Sequence, residues 1–435
     1  MGDTPQESLT PAISENASTC PIDHTAWSRQ KTAAMSDAVV VQDASSRPAI
    51  ERASDGVWHV HDFQEARAIL RLDTTKQAGF NADQIEQVAW FIKPAILYQE
   101  GQTHHQQRRQ TARFFTPKAV DANYKQLMEQ LAEELLANLQ NGKPADLSEI
   151  SFKMAVGVTS QIIGLTNSRD SRMNKRIDAF FSYPTSIGLP RWHPKMLIVP
   201  FIAVFYLWNF YRKDVLPAIR ARRRQPQDDL ISFMLSQKAR NRDIEIECVT
   251  YAAAGMATTR EFLTVAIWHM LEHPSLRTRY LAASKEERYR ILEEILRIEP
   301  VVGHLYRRAT EDFQIKSNGT SVTIRKGDLI HLHTYAINMD THVITEHPQA
   351  ICPDRELHAE RVSNSLMSFG DGHHRCAGSY VAIQESDIFL RRLLAFEHLH
   401  LQGKPEIIWN DVTSGYQIRN FVATLREEED QAAPD

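Results

Sequence analysis

The feature that most constrains this chain is the segment Phe369–Gly378, which reads FGDGHHRCAG. Its two early glycines permit a tight, bulged turn with positive φ angles, which residues bearing a Cβ rarely adopt. We predict that Cys376 lies where this turn meets the N-terminus of a helix. Free N–H groups and the positive end of the helix dipole stabilise a thiolate at such a place. The segment therefore predicts a chemically active cysteine.

Three interpretations of Cys376 are open. A structural cysteine in the core is common, but two glycines, two histidines and an arginine are poor core material. A nucleophile needs a base, and none is evident nearby. A soft metal ligand is the third interpretation and the one we favour. Because Cys20, Cys248 and Cys352 form no pair at the spacing of a zinc or dithiol motif, we expect Cys376 to act alone.

Length and composition indicate a globular protein. The chain has 435 residues, of which 43% are hydrophobic and 24% charged, so disordered, collagen-like and coiled-coil classes are excluded. Length alone suggests about three domains at roughly 150 residues each, yet no repeat or linker marks a boundary. We predict a loosely ordered arm over residues 1–40 and a single domain over 41–435. The net charge of −4 provides no basic field for nucleic acid.

The sequence favours a cytoplasmic protein without a transmembrane span. Few cysteines suit a reducing compartment, and residues 1–19 contain no apolar signal region. The longest apolar run, Met196–Tyr211, is broken by Pro200 and is shorter than the ~20 residues that span a bilayer. We interpret it as a buried or half-buried helix. A lid over an apolar pocket and a helix that touches membrane remain alternatives.

The periodic patterns predict a mainly α (α+β) protein. Helices are expected at 63–71, at about 243–272, after a capping box at Ser284, and at about 378–396. Residues 313–337 alternate polar and apolar side chains around two turns, which predicts a small antiparallel sheet. Strands are thus expected mainly in one late segment.

The cysteine segment resembles the ligand loop of cytochromes P450, Phe-Gly-x-Gly-x-His/Arg-x-Cys-x-Gly, and matches every fixed position. The resemblance implies the soluble, bacterial type of this family: one large helical domain with a smaller β-rich part around a buried haem. It implies haem b (iron protoporphyrin IX) with Cys376 as the iron ligand. Phe369, Gly370 and Gly378 are then cofactor-binding residues.

A second motif supports the resemblance. Glu294 and Arg297 resemble the family's Glu-x-x-Arg, and at this spacing both side chains share one helix face. Arg355 is the best match to the arginine that completes the family's structural network. The implied role of these three residues is fold integrity near the haem.

Four further residues resemble the family's partners of the haem propionates, which are carboxylates and need cations or hydrogen-bond donors. His104 and Arg108 lie one turn apart on a predicted helix, Arg307 follows the Glu-x-x-Arg helix, and His374 lies two residues before the cysteine. Arg108 and Arg307 are each followed by another arginine that can exchange roles with them.

Residues Ala254–Thr259 resemble the family's oxygen-activation signature, with Ala254 against the cofactor. The resemblance implies that the Thr258 hydroxyl holds a water and passes a proton during oxygen activation. Ala257 stands where the family usually has an acid. Glu261 can partly replace that acid, a water chain with Thr258 alone can suffice, or the enzyme does not carry out standard oxygen activation.

These residues favour a monooxygenase that inserts one atom of O₂ into a hydrophobic small molecule. Phe180, Val301, Val302 and Ala254 are the predicted pocket residues. Because no reductase domain is recognisable, electrons are expected from a ferredoxin or flavodoxin with its reductase. Reduction of nitric oxide is the alternative, since nitric-oxide-reducing members of the family also have alanine at the place of Ala257. A haem-binding sensor or carrier is a third hypothesis.

Overall fold

The computed structural model describes residues 48–80, 82–88, 93–182, 204–317, 319–410, 413 and 415–425, without the side chains of residues 84, 87, 88 and 179–182. The predicted arm over 1–40 lies outside the described residues. So does the first half of the apolar run, residues 196–203, and so does the side chain of Phe180.

Helices make up most of the described structure. The α-helices with defined bounds are α1 Phe63–Leu70, α2 Ala82–Val88, α3 Gly101–Thr111, α4 Pro117–Asn123, α5 Lys125–Gln140, α6 Leu147–Ile163, α7 Met173–Ser182, α8 Leu216–Arg224, α9 Leu230–Ser236, α10 Asn241–Ala252, α11 Thr258–Glu272, α12 Pro274–Ala282, α13 Lys285–Ile298, α14 Thr334–Ile337 and α15 Ser379–Leu394. Residues 204–210 are also helical and continue through a π turn, Tyr211–Val215, into α8.

The long helix predicted over 243–272 is α10 and α11, which are continuous through a π turn at Ala253–Ala257. Its second half, α11, is buried almost throughout and packs against α6 and α15. Helix α13 begins as its capping box predicts, because the Ser284 hydroxyl accepts a hydrogen bond from the Glu287 amide at 3.2 Å. These helices enclose the larger of two apolar cores.

Twelve strands with defined bounds form four small sheets in the described residues. They are β1 Ile50–Arg52, β2 Trp58–Val60, β3 Thr75–Gln77, β4 Ala145–Asp146, β5 His304–Ala309, β6 Phe313–Ser317, β7 Thr320–Ile324, β8 Leu329–His333, β9 Leu399–Leu401, β10 Glu406–Asn410, β11 Gly415–Arg419 and β12 Val422–Leu425. The largest sheet has the order β1-β2-β8-β5-β3 and covers the second apolar core with α1.

The prediction of one late antiparallel sheet is wrong in its pairing. Strands β6 and β7 form a separate hairpin, whereas β8 joins the five-stranded sheet between β2 and β5. Its pairing with β2 is parallel. A parallel partner from a distant part of the chain leaves no local turn signal, so the alternation in 313–337 could not reveal it.

The described part of the apolar run is helical. Val204, Phe205 and Trp208 are exposed at 63%, 58% and 51%, so the expected buried helix is wrong for these side chains. Within the described residues, no helix has both the length and the apolar character needed to cross a membrane.

Candidate functional site

The cysteine loop leads from the β-rich part of the molecule into helix α15. Gly370 and Gly372 both have a φ of +65°, as the sequence pattern predicts. The Cys376 amide donates a 2.8 Å hydrogen bond to the Phe369 carbonyl, which closes the turn. Helix α15 begins at Ser379, and the Cys376 side chain is exposed. The loop thus presents an open thiol beside a helix N-terminus.

Gly372 is required by a close approach as well as by its φ angle. A Cβ at this position would lie 2.1 Å from the Leu70 carbonyl oxygen at the end of α1. The adjacent Asp371 forms ion pairs with Arg71 at 3.0 Å and with Arg67 at 3.1 Å. These contacts fix the cysteine loop against α1.

Groups around the thiol act in both directions on its ionisation. Although the Cys376 side chain is exposed in the loop, the dense protein around the loop desolvates the thiolate and raises the pKa of the Cys376 thiol, whereas the Gly378 amide and the charges of Arg108 and Arg375 oppose that rise. Arg108 also reaches the loop directly, because its Nη2 donates to the Arg375 carbonyl at 2.5 Å. Arg108 therefore links helix α3 to the cysteine loop.

Three of the four predicted propionate partners, His104, Arg307 and His374, meet around one carboxylate, that of Glu100. His374 Nε2 lies 2.9 Å from Glu100 Oε2, and Arg307 Nη2 lies 3.3 Å from Oε1. The ring of His104 stacks on that of His374 with centroids 4.2 Å apart. Burial alone would raise the pKa of Glu100, but the hydrogen bond from His374 and the charge of Arg307 outweigh it and lower that pKa. The cluster therefore stabilises an ionised carboxylate.

The arginine pairs have distinct surroundings. Arg307 is 2% exposed and donates to Thr75 and Glu100, whereas Arg308 donates to the exposed Asp83. On α3, Arg108 contacts the cysteine loop, and Arg109 is exposed. The structure thus brings Arg307, rather than Arg308, to the Glu100 carboxylate. It brings Arg108, rather than Arg109, to the cysteine loop.

Glu294, Arg297 and Arg355 lie together in the interior. Arg297 donates two hydrogen bonds of 2.8 Å to the two carboxylate oxygens of Glu294, and Arg355 Nε donates a third of 3.0 Å. Arg297 also donates to the carbonyls of Asn338 and Pro348 at 2.8 Å. Since Arg297 and Glu294 are 0% and 1% exposed, the network ties α13 to the segments that follow β8.

Asn338 connects this network to the cysteine loop. Its Nδ2 donates to the Arg297 carbonyl at 2.9 Å and to the Ser368 hydroxyl at 2.8 Å. Its Oδ1 accepts from the Met367 amide at 2.8 Å. Asn338 therefore fixes the two residues that precede Phe369, a role that no sequence motif indicated.

The small-residue segment forms the π turn Ala253–Ala257, in which hydrogen bonds run to the fifth residue. At Gly255 a Cβ would lie 2.7 Å from Thr159 Oγ1, so helix α6 approaches closely here. The hydroxyl of Thr258 donates to the Ala254 carbonyl at 2.5 Å. Thr258 is partly exposed whereas Thr259 is buried, so the lone pairs of the Thr258 hydroxyl can still accept a hydrogen bond.

Glu261, which is predicted to replace part of the acid missing at Ala257, is held by two arginines. Its carboxylate accepts two 2.8 Å hydrogen bonds from Arg419, one on each oxygen, and a third of 2.9 Å from Arg260. Glu261 is 3% exposed. This buried carboxylate, with both oxygens engaged by guanidinium groups, ties α11 to β11.

Both the sequence and the fold are similar to those of known proteins. The family profile described as "Cytochrome P450" matches residues 55–286 and 289–413. The chain belongs to the cytochrome P450 family. It is therefore an oxidoreductase of the P450 monooxygenase type, and its mainly helical fold with small sheets is the fold that the resemblance implied.

Curated P450 relatives are similar over most of their length. The chain is 26% identical over 345 residues to the "Biotin biosynthesis cytochrome P450" of Bacillus subtilis (strain 168), covering 78% of this chain and 82% of that protein. It is 26% identical over 363 residues to "Nocardicin C N-oxygenase" of Nocardia uniformis subsp. tsuyamanensis, covering 80% and 84%. The crystal structure of P450BioI with hexadec-9Z-enoic acid ligated acyl carrier protein has a TM-score of 0.69 at 24% identity, covering 88% and 96%.

The residues of this P450 fit a haem with thiolate ligation, the cofactor that the family implies. Cys376 is open, and nothing lies within 4 Å of a Cβ built at Gly378, so a flat group can approach the backbone there. His104 is 1% exposed, and its Nδ1 has no hydrogen-bond partner among the described residues. A buried donor without a partner, beside a cluster that already holds a carboxylate, suits a propionate.

The predicted pocket residues are only partly described. Val301 and Val302 are half-buried between α13 and β5, and Ala254 is exposed on the π turn. Sequence analysis missed Glu100, Asn338 and Arg419, which contact the predicted residues from outside the family's motifs. No motif in the sequence around these three residues indicates a role, so only their contacts in the structure reveal it.

Proposed function

We propose that this P450 inserts one oxygen atom from O₂ into a hydrophobic small molecule, within a single catalytic domain over residues 41–435, using electrons from a separate protein. The observation that carries the proposal is the open Cys376 thiol together with a nearby group of arginine and histidine side chains, which are His104, Arg108, Arg307 and His374. When bound, a haem with thiolate ligation supplies the redox chemistry that activates O₂.

The proposed cofactor is haem b, with Cys376 as the iron ligand. His104, Arg108, Arg307 and His374 would hold its propionates, since the last two already bind the carboxylate of Glu100. The other proposed cofactor contacts are backbone or small groups around the open thiol and on the π turn: Phe369, Gly370, Gly378 and Ala254.

Thr258 is the proposed proton-transfer residue. Its hydroxyl donates to the Ala254 carbonyl, so it is oriented by its own helix. Because its lone pairs are free to accept, it can hold a water at the partly exposed face of the π turn. Because Ala257 has no acidic group and the Glu261 carboxylate is engaged by Arg419 and Arg260, the proposed proton path runs through water and Thr258.

The proposed substrate is hydrophobic because the side chains expected around the site are apolar. Val301, Val302 and Ala254 offer methyl groups and no charge, and Phe180 is the aromatic residue proposed beside them. The structure of P450BioI contains a fatty acid attached to a carrier protein, which illustrates that this fold admits an apolar chain.

An acidic ferredoxin or flavodoxin, with its reductase, is the proposed electron donor. Arg109, Arg113 and Arg375 are exposed, and Arg375 is adjacent to the ligand cysteine. Like-signed charges around the expected entry point of electrons suit an acidic partner that is steered by charge. A cytoplasmic location remains a proposal that rests on the small number of cysteines.

The proposal is tested first by a reduced-CO difference spectrum of the purified, haem-loaded protein. We expect the red-shifted Soret band of thiolate ligation. A screen of apolar compounds for spin-state shifts, followed by O₂ uptake and product analysis with a ferredoxin and its reductase, then identifies a substrate. A protein that shows the band but gives no substrate-dependent O₂ uptake with ferredoxin or flavodoxin would contradict the monooxygenase proposal.

Nitric oxide reduction is the second candidate, and one observation favours it. Ala257 supplies no acid, and Glu261 is held by Arg419 and Arg260, so the usual carboxylate relay is absent from the described part of this helix. Consumption of nitric oxide with NADH or NADPH alone, without a redox protein, would establish this activity in place of the first.

A further inference from the structure

Five histidines lie on one face of the five-stranded sheet. Successive side chains of a strand point to opposite faces of the sheet. On β2 and β8 the side chains that face the second apolar core are Trp58, Val60, Ile330 and Leu332. The residues between them therefore face the other way. The histidines on that opposite face are His59, His61, His304, His331 and His333. We call them the histidine face.

The strand register brings the five rings together. His59 is paired with His331 across β2 and β8, and His304 is paired with His333 across β5 and β8. Ring centroids are 3.9 Å apart for His331 and His333, and 5.0 Å apart for His59 and His333. The cluster therefore draws on three strands from two distant parts of the chain.

The ring nitrogens have the spacing of metal ligands. One nitrogen from each of His59, His61 and His333 lies within 4.8 Å of the others, and the same holds for His304, His331 and His333. A tetrahedral ion with metal–nitrogen bonds of about 2.0–2.1 Å separates its ligand atoms by about 3.4 Å. His59 Nδ1 and His333 Nε2 are 2.8 Å apart, so a small side-chain rotation reaches that geometry.

One further contact orients a ligand of this site. His61 is 6% exposed, and its Nδ1 lies 3.0 Å from the Pro48 carbonyl, so Nδ1 carries a proton and Nε2 is the nitrogen that would bind the ion.

We propose that the histidine face binds one divalent transition-metal ion through His59, His61 and His333, with His304 and His331 hydrogen-bonded beside them. Neutral imidazoles select zinc, copper, nickel or cobalt over magnesium and calcium, which prefer oxygen. The ion would join β2 to β8 and so attach the N-terminal strands to the segment that carries Arg307. This site is separate from the haem site and does not depend on the proposed reaction.

The test is a titration of the chelator-treated holoenzyme with Zn²⁺ and, as a reference, with Mg²⁺, in which isothermal calorimetry measures the heat of binding. Metal analysis after gel filtration then measures how much Zn²⁺ stays bound. We expect one tightly bound Zn²⁺ per chain and no heat with Mg²⁺. His333→Gln and His59→Gln should each weaken Zn²⁺ binding at least ten-fold. The exposed His358→Gln is the matched control and should bind as the parent does.

Folding of each variant is judged by its reduced-CO spectrum, so loss of the site is separated from loss of the protein. If His333→Gln does not fold, His59→Gln decides. Absence of tight Zn²⁺ binding in the parent overturns the proposal. So does binding that survives both variants, or binding that is lost in His105→Gln, which removes a ligand of the separate Asp73, His105 and His373 group instead.

Discussion

Asn338 and Met367 are joined by a 2.8 Å hydrogen bond from the Met367 amide to the Asn338 side-chain oxygen. The same side chain donates to the Arg297 carbonyl. One amide group thus transmits the position of the buried Glu294–Arg297 network to the segment that leads into the cysteine loop. It is a positioning residue, since it contacts neither the thiol nor the expected cofactor.

Asn338→Ala is predicted to loosen thiolate ligation without removing the ligand. The substitution leaves the Met367 amide and the Arg297 carbonyl unsatisfied, at about 1–3 kcal/mol for each buried group. A larger fraction of the reduced-CO spectrum should then lack the red-shifted band. The exposed Asn123→Ala should leave the spectrum unchanged, and equal spectra for both variants would contradict the positioning role.

Arg297→Leu is predicted to destabilise the fold. The substitution removes the guanidinium group that donates a hydrogen bond to each oxygen of the buried Glu294 carboxylate. Breaking a buried ion pair in this way costs about 3–5 kcal/mol. Urea unfolding of the holoenzyme measures the change. Arg290→Leu on the same helix removes an exposed arginine and should change the free energy of unfolding by less than about 0.5 kcal/mol. Similar losses in both variants would refute the network's role.

Cys376→Ala is predicted to abolish the red-shifted band altogether. Among the described cysteines, Cys248 is buried and Cys352 is half-buried, so only Cys376 is open to a cofactor. Cys352→Ala, which keeps the backbone amide that donates to Glu294, should retain the band. If the Cys376→Ala variant retained the band, Cys376 would be excluded as the iron ligand.

Thr258→Ala is predicted to uncouple electron use from product formation. The variant keeps the helix but removes the hydroxyl that would hold a water and pass a proton. Product formed per NAD(P)H consumed should fall well below the parent value, while Thr258→Ser, which keeps the hydroxyl, should stay near it. Unchanged coupling in Thr258→Ala would reject the proton-transfer role.

Glu385 gives the protein a predictable dependence on pH. It lies in α15 and is 1% exposed, and burial raises its pKa from the usual 4.5 to about 8. The folded protein therefore holds this proton up to about pH 8, whereas the unfolded chain releases it near pH 4.5. Stability from this group is fully present below pH 4.5 and falls as the pH rises towards 8.

Glu385→Gln should flatten the fall in the free energy of unfolding between pH 5 and pH 8, because the amide resembles the protonated acid at every pH. The exposed Glu356→Gln provides the control and should keep the parent's slope. Parallel curves for parent and Glu385→Gln would show that this carboxyl group does not titrate as burial requires.

Sequence reasoning succeeded where a residue's chemistry is unusual in its local context. The paired glycines predicted the turn before Cys376, and Glu294 with Arg297 could be placed on one helix face from their spacing alone. The capping box at Ser284 located the start of α13 to the residue. Such signals lie within a few positions of one another, so no knowledge of distant contacts is needed.

Contacts between residues far apart in the chain could not be predicted from the sequence. Glu261 has the right residue type and spacing for a proton relay, but its fate depends on Arg419, which lies 158 positions away. Likewise β8 was expected in a local sheet, and its partner β2 comes from the other end of the chain. The spacing of polar and apolar residues along the sequence indicates neither the Glu261–Arg419 contact nor the pairing of β2 with β8.

The parallel pairing of β2 with β8 has a consequence for how the protein is made. His59 and His333, which contact each other across it, are 274 positions apart. At ribosomal rates of about 5–20 residues per second, β8 is synthesised roughly 14–55 s after β2. For that interval β1 and β2 have an open edge that can join another chain. We expect nascent chains of this protein to need protection at their N-terminal strands until β8 has left the ribosome.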